Sequence, residues 1–215
     1  MSTSDAPDAA VPGVPPPPNR SWPDTSAATG APLRLHGGRV DLVALTPAAV
    51  DALLDGDGAW LTAFAGAAFP EPAAAPPYLE HALRAQADRL RAHPRELGWW
   101  SWAVVDRERA AVVGMVTLTG PPGPDGDVLV GYSIYPAWAG HGYATEAARV
   151  LLAWAAAQPG VRVVRATPPP WYAASIRVTE KLGLRPAGRR RDRAIGDVLV
   201  YEAPAALYAP RPGGA

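Results

Sequence analysis

The sequence predicts a mixed α/β fold. Short runs of alternating or β-branched apolar residues read as strands, and between them lie segments whose apolar residues recur at helical spacing. A further signal is the glycine loop Gly140-His141-Gly142, set between a strand-like run at 128–135 and a helix-like run at 144–157. Glycines let such a loop turn tightly and approach a ligand. The helix behind it aims free N–H groups and the positive end of its dipole at the same spot, an arrangement suited to phosphate or pyrophosphate.

The chain has 215 residues, which suits one domain plus tails. Residues 1–32 are rich in Pro, Ala, Ser and Asp, with Pro15 to Pro18 unbroken, and read as a disordered tail; a proline-rich docking peptide is the functional alternative. The folded domain is expected over 33–204, with a short tail at 205–215. A first strand is expected over 35–44, and Thr46-Pro47 opens a short helix through Leu54. The Ala/Pro-rich stretch 58–77 has no clear assignment. Leu79, Leu83 and Leu90 give a helix over 78–92. Strands at 99–105 and 111–118 flank the turn 106–109 as a hairpin, and a Pro/Gly loop at 121–126 leads into the strand 128–135. The helix 144–157 presents Ala148, Leu151, Leu152 and Ala155 to the core and stops at Pro159-Gly160. A strand at 161–167, a helix at 172–182 with Ala174, Val178 and Leu182 in line, and strands at 184–188 and 197–202 complete the chain. Antiparallel strands thus come first, followed by a strand–helix–strand unit.

Formal net charge is zero, so composition makes no electrostatic case for nucleic acid or an anionic membrane. The chain has no cysteine, which removes disulfides, thiolate metal sites and a cysteine nucleophile. No apolar run reaches the roughly 18 residues of a membrane span, and the N-terminus lacks a basic-then-apolar pattern. A soluble, cytoplasmic protein is expected. His36, His81 and His93 are scattered without metal-ligand spacing, so no metal is expected.

The run Val128-Leu129-Val130-Gly131-Tyr132-Ser133-Ile134, the segment Gly140 to Ala147, and Ala174-Ser175-Ile176-Arg177-Val178-Thr179-Glu180-Lys181-Leu182-Gly183-Leu184 together resemble the GNAT superfamily of acetyl-CoA-dependent N-acetyltransferases, in particular its RimJ/RimL-like branch. The resemblance covers about residues 33–204. It implies a central, mostly antiparallel sheet splayed in a V between the strands at 128–135 and 161–167, flanked by helices on both faces. It implies acetyl-CoA as co-substrate in that gap. The pantetheine arm would pair with Ser133, Ile134 and Tyr135. The pyrophosphate would rest on the loop residues Ala139, Gly140, His141, Gly142, Tyr143, Ala144 and Thr145, in agreement with the reading of the loop itself.

Amide formation from acetyl-CoA needs a neutral amine, donors for the charge that builds on the carbonyl oxygen, and a proton for the leaving thiolate. Backbone N–H groups at Ile134 and Tyr135 are the candidate donors. In similar proteins the acid is a tyrosine or serine on the helix after the second strand of the V. The usual tyrosine position is Thr179 here, so the resemblance selects Ser175, with Tyr172 in reserve. A first-turn serine satisfying local backbone is the structural alternative. Three departures stand out: Leu129 occupies a position often acidic in similar sequences, Ala139 and His141 replace basic residues around the loop glycines, and Tyr172 stands where a helix-start asparagine is expected. Trp100 and Trp102 are expected on one face of a strand, with Trp99 on the other, and are candidates for an acceptor pocket closed by Trp60, Phe64 and Phe69. The run Arg189-Arg190-Arg191-Asp192-Arg193 reads as a solvated turn between strands, or as a site for an acidic substrate or the adenosine 3′-phosphate.

The leading expectation is transfer of acetyl to a primary amine, either a protein N-terminus or a small molecule. The alternatives are a catalytically silent acyl-CoA-binding module and a structural partner protein using the proline-rich tail. Nucleic acid and membrane are not expected partners, and a homodimer is among the expected assemblies.

Overall fold

The computed structural model describes residues 32–76, 80–193 and 195–209. The expected tail over 1–32 therefore lies almost wholly outside the described residues. The strands are β1 (Arg34–His36), β2 (Val40–Ala44), β3 (Ser101–Asp106), β4 (Ala111–Leu118), β5 (Asp127–Ile134), β6 (Val163–Ala166), β7 (Arg185–Asp192) and β8 (Gly196–Pro204). The helices are α1 (Pro47–Asp55), α2 (Gly58–Ala65), α3 (Glu80–Ala92), α4 (Tyr143–Ala156) and α5 (Ala173–Lys181). One sheet runs in the order β1-β2-β3-β4-β5-β6-β8-β7, and every pairing is antiparallel except β5 with β6.

Local chemistry sets most boundaries. Thr46 caps α1, its side chain accepting from the Ala49 N–H at 3.2 Å, and Gly56 ends the helix in the left-handed conformation. Asp57 then caps α2 by accepting from the Trp60 N–H at 3.0 Å, so the stretch without a sequence assignment contains a helix. The expected single strand at 35–44 is a hairpin instead. The Gly37 N–H donates to Val40 O at 2.9 Å, and the two glycines Gly37-Gly38 reverse the chain between β1 and β2. The arginine run expected in a turn lies on β7 itself, which extends to Asp192 before the chain reverses. Residues 205–208 pack back on the domain: Ala205 is buried and the Tyr208 O–H donates to Leu182 O at 3.0 Å.

Side chains alternate across the sheet and build a core on each face. On one face Leu42, Trp102 and Val104 pack under α4, which buries Ala147, Ala148, Leu151, Leu152 and Ala155 as its spacing predicts. On the other, Val43, Ala103 and Met115 meet Val50, Leu53, Leu61 and Leu83 from α1, α2 and α3. Strand β4 changes parity between these faces: Val104 opposes Gly114 while Val105 opposes Val112, so Val113 is an extra residue, a bulge. Helix α5 departs from its predicted face, with Thr179 and Leu182 buried and Ala174 exposed. Among the described residues, no helix is long and apolar enough to cross a membrane.

Leu151 is fully buried beneath the sheet. Leu151→Ala is expected to lower unfolding free energy by about 2–5 kcal/mol in urea denaturation; a loss under about 1 kcal/mol would mean that α4 is not anchored this way.

Candidate active site

Strand β5 changes partners along its length. It pairs in parallel with β6 only over Asp127–Leu129, opposite Val163–Arg165, and with β4 over Val130–Ile134. Beyond Leu129, β5 and β6 part and leave a V-shaped gap. Arg165 clamps the vertex, its guanidinium donating to Asp127 at 2.7 Å and to Glu202 on β8 at 2.6 Å. Those two partners raise the Arg165 pKa, the Glu202 hydrogen bond most, so the clamp stays charged. Asp127 is the first residue of β5.

Backbone groups alternate in direction along a strand. The Tyr135 N–H donates to Val113 O at 3.0 Å, on the β4 side. The Ile134 and Tyr132 groups therefore face the gap, while those of Ser133 and Tyr135 face β4. Of the two carbonyl donors expected from the sequence, Ile134 is available and Tyr135 is engaged by the bulge at Val113. The Tyr135 hydroxyl, raised in pKa by burial, donates to Ala74 O at 2.7 Å. This bond ties the end of β5 to the segment beside an open cavity of about 580 Å³ whose lining includes Thr62, Phe69, Glu71, Pro72 and Ala73.

At the mouth of the gap the chain passes Pro136–Trp138 and the loop Ala139-Gly140-His141-Gly142 into α4. Gly140 and Gly142 have φ of 83° and 84°, the left-handed region. Gly142 is the N-cap of α4 and offers no side chain to its N–H groups, so those of Tyr143, Ala144 and Thr145 point out of the helix end. Glu146, one turn in, would repel an anion there, but Arg39 neutralises it. The Arg39 N–H donates to Glu146 Oε1 at 2.6 Å and its Nε to Oε2 at 3.2 Å. Its Nη2 also donates to His141 O at 2.9 Å, and the guanidinium lies 4.2 Å from the centre of the Tyr143 ring. The His141 side chain is exposed, its Nδ1 3.3 Å from Trp138 O. The Tyr143 hydroxyl donates to Asp106, which also accepts from the Arg109 N–H at 3.0 Å and its guanidinium at 3.1 Å. Burial pushes the Asp106 carboxyl up, but these hydrogen bonds outweigh it and hold the carboxyl below its ordinary value.

On the far side of the gap, Ser175 lies in the first turn of α5. The Tyr132 hydroxyl, reaching from β5, donates to Ser175 O at 2.9 Å and lies 3.3 Å from Ser175 Oγ and 3.0 Å from Thr179 Oγ1. Burial raises the Tyr132 pKa against the lowering effect of both hydroxyl neighbours, so the phenol remains a proton donor at neutral pH. Tyr172 is the N-cap of α5; it is exposed and stacked on the exposed Trp171 with ring centroids 5.6 Å apart.

The tryptophans fall elsewhere. Trp102 is fully buried, packs edge-on against Trp154 and donates from Nε1 to Gly98 O at 2.9 Å, so it has no surface to offer an acceptor. Trp99 shares that core, with its ring centroid 4.9 Å from Trp154. The predicted alternation fails because β3 begins only at Ser101. Trp100 is partly buried, its Nε1 3.3 Å from Glu96. Phe69 is also core, while Trp60 stacks on Phe64 at the surface. Sequence reasoning assigned no role to Tyr132, Arg39 or Asp106. Tyr132 shares strand parity with Val128 and Val130, a signal that it faces the same helices; nothing local marks Arg39. Among the described residues, no group of three or more His, Asp or Glu could hold a metal ion.

This geometry has clear relatives. An acetyltransferase (GNAT) domain model matches residues 39–185, and the chain belongs to that family and is an acyltransferase. Solved structures with the same fold include a ribosomal-protein-S5-alanine acetyltransferase from Vibrio fischeri, 16% identical, with a TM-score of 0.56 over 83% of this chain and 100% of that one. A Mycobacterium smegmatis RimJ in complex with CoA-disulfide is 20% identical, with a TM-score of 0.54 over 82% and 87%. A RimL ribosomal L7/L12 α-N-protein acetyltransferase in complex with coenzyme A is 15% identical, with a TM-score of 0.57 over 80% and 98%. No curated protein matches the sequence.

Gly142→Val puts a branched side chain at a left-handed position, straining the loop by roughly 1–2 kcal/mol, and crowds the Arg39 guanidinium, 3.8 Å from an added Cβ, so the α4 N–H groups lose their alignment. Coenzyme A binding by calorimetry is expected to fall below detection, and unchanged affinity would refute the loop assignment. Asp106 has a folded pKa below its unfolded value of about 3.9, so its contribution to stability is complete above that value and is lost as pH falls through the lower folded pKa. Asp106→Asn is expected to flatten the acid limb of stability against pH; an unaltered limb contradicts the network.

Proposed function

We propose that this protein transfers an acetyl group from acetyl-CoA to a primary amine by direct attack in a ternary complex, with residues 33–204 as the catalytic domain. One observation carries the reading: parted strands whose open end meets a helix N-terminus behind two left-handed glycines. The residues fit the group. The loop from Ala139 to Thr145 offers backbone N–H groups and no bulk at Gly140 and Gly142 for a pyrophosphate. The open edge of β5 offers the Ile134 and Tyr132 groups to the amide-bearing pantetheine arm, with Ser133 and Tyr135 in the supporting strand. The relatives solved with coenzyme A support the same ligand class.

In this reading the acceptor nitrogen bonds to the acetyl carbon as the carbon–sulfur bond breaks. The Ile134 N–H stabilises the charge on the carbonyl oxygen. The thiolate takes a proton from Ser175 Oγ, which the Tyr132 phenol oxygen holds in position, and the proton lost by the nitrogen returns through water to restore the serine hydroxyl. Tyr172 borders the gap at the start of α5. The acceptor is a protein N-terminus or a small-molecule amine, and the setting is cytoplasmic. A silent acyl-CoA-binding module is the second reading, favoured by Leu129, which cannot accept a proton, and by the Asp127 carboxylate held in the Arg165 clamp.

Released coenzyme A is measurable directly with a thiol reagent, because the chain has no cysteine to add background. Acetyl-CoA with a panel of peptide and small-molecule amines is expected to yield free thiol. Protection by coenzyme A against thermal unfolding without turnover on any amine would favour the silent module. Ser175→Ala is expected to lower kcat by about 10²–10⁴-fold at little change in KM for acetyl-CoA, and Tyr132→Phe to lower kcat less. Full activity in Ser175→Ala removes that serine from the chemistry.

A further inference from the structure

We infer that the β7 edge is a docking rail for an acidic, extended stretch of a polypeptide acceptor, an inference that rests on the amine-acetyltransferase reading above. β7 is the last strand in the sheet order, so among the described residues nothing pairs with its outer edge. Its first seven residues, Arg185 through Arg191, are exposed on both faces. β8 beside it is held by β6 and buries Val198 and Tyr201, so it is β7 alone that gains little from packing and remains as a surface to be covered. The segment 185–200 holds five arginines against two aspartates, in a chain whose formal net charge is zero. Among the described residues Arg185, Arg189, Arg191 and Arg193 have no acidic partner, while Arg190 lies 3.8 Å from Asp192.

Charge on an edge strand ordinarily prevents self-pairing. Here the same charge repels a second copy and selects an oppositely charged strand. The edge itself presents N–H and C=O groups, which a polypeptide backbone matches by strand addition. A nucleic acid backbone offers no such ladder and no aliphatic amine to acetylate. The position fits a substrate reaching the gap: Leu199, opposite Arg189 in register, donates its N–H to Pro168 O at 3.0 Å, just past the end of β6. Between that point and Ser175 stand the stacked Trp171 and Tyr172, with Trp171 66% exposed. Pro168 lies on the β6 side of β8, so a chain lying on the outer edge of β7 would cross the end of the β7–β8 pair and pass the aromatic pair to reach the start of α5.

The test uses the full-length protein and two fluorescein-labelled peptides with the same N-terminal residue, one continuing in alternating Asp and Glu and the other in Ser and Gly. Anisotropy without acetyl-CoA is expected to give the acidic peptide about tenfold tighter binding at low salt, with the advantage shrinking as salt rises. The variant Arg189→Ala/Arg191→Ala/Arg193→Ala is expected to erase the preference while coenzyme A still protects against thermal unfolding. Alternate backbone N-methylation of the acidic peptide is expected to weaken it as well. Equal binding of both peptides overturns the proposal, as does a preference that survives the triple variant, indifference to N-methylation, or an RNA oligonucleotide of equal charge that displaces the acidic peptide. These outcomes do not depend on turnover, whereas failure to acetylate any small amine or peptide counts against the acetyltransferase reading alone.

Discussion

The parallel contact between β5 and β6 lasts three residues, and the site depends on its brevity. Arg165 holds the contact closed at its base by gripping Asp127 and Glu202 across three strands. Above it the sheet divides, because β5 follows β4 while β6 follows β8. Hydrogen-bonding groups that a continuous sheet would consume are left facing a gap. A ligand with amides of its own can satisfy them, which is why an opening in a sheet works here as a binding site. The bulge at Val113 adds to this by capturing the Tyr135 N–H and fixing which groups at the end of β5 remain available.

At the mouth of the gap, anion recognition is a property of backbone rather than of side-chain charge. The loop carries no lysine or arginine, and its nearest carboxylate, Glu146, has the wrong sign. Arg39 resolves the conflict from the β1–β2 turn by neutralising Glu146 and bonding to His141 O. Tyr143, beneath that guanidinium, passes the restraint on to Asp106 and Arg109. The loop is therefore held from behind by residues distant in sequence, which leaves its front to backbone N–H groups. Across the gap Tyr132 does the corresponding work for Ser175, joining strand to helix through one hydroxyl.

What was legible in the sequence follows its local physics. The glycine loop, the apolar stripe of α4 and the Thr46 cap are determined within a turn or two of chain, and the family resemblance rested on such segments. The β1–β2 hairpin was missed because Gly37-Gly38 looked like an interruption in one strand rather than a reversal. Helix α2 was missed because its start depends on a single cap at Asp57 within an Ala/Pro-rich stretch. Trp102 was misjudged as a pocket residue because strand alternation was counted from Trp99, before β3 begins; its true partner, Trp154, lies on a helix far along the chain. The Tyr132–Ser175–Thr179 cluster and the Arg39 buttress exist only once the sheet has assembled, and no local pattern announces either.

Amide hydrogen exchange with and without coenzyme A tests the central claim, that the parted strands and the loop form one cofactor site. The account predicts new protection at Ile134 and across 139–145, with the β7–β8 ribbon unchanged. Protection confined to other segments, or none at 139–145 under saturating coenzyme A, would contradict it.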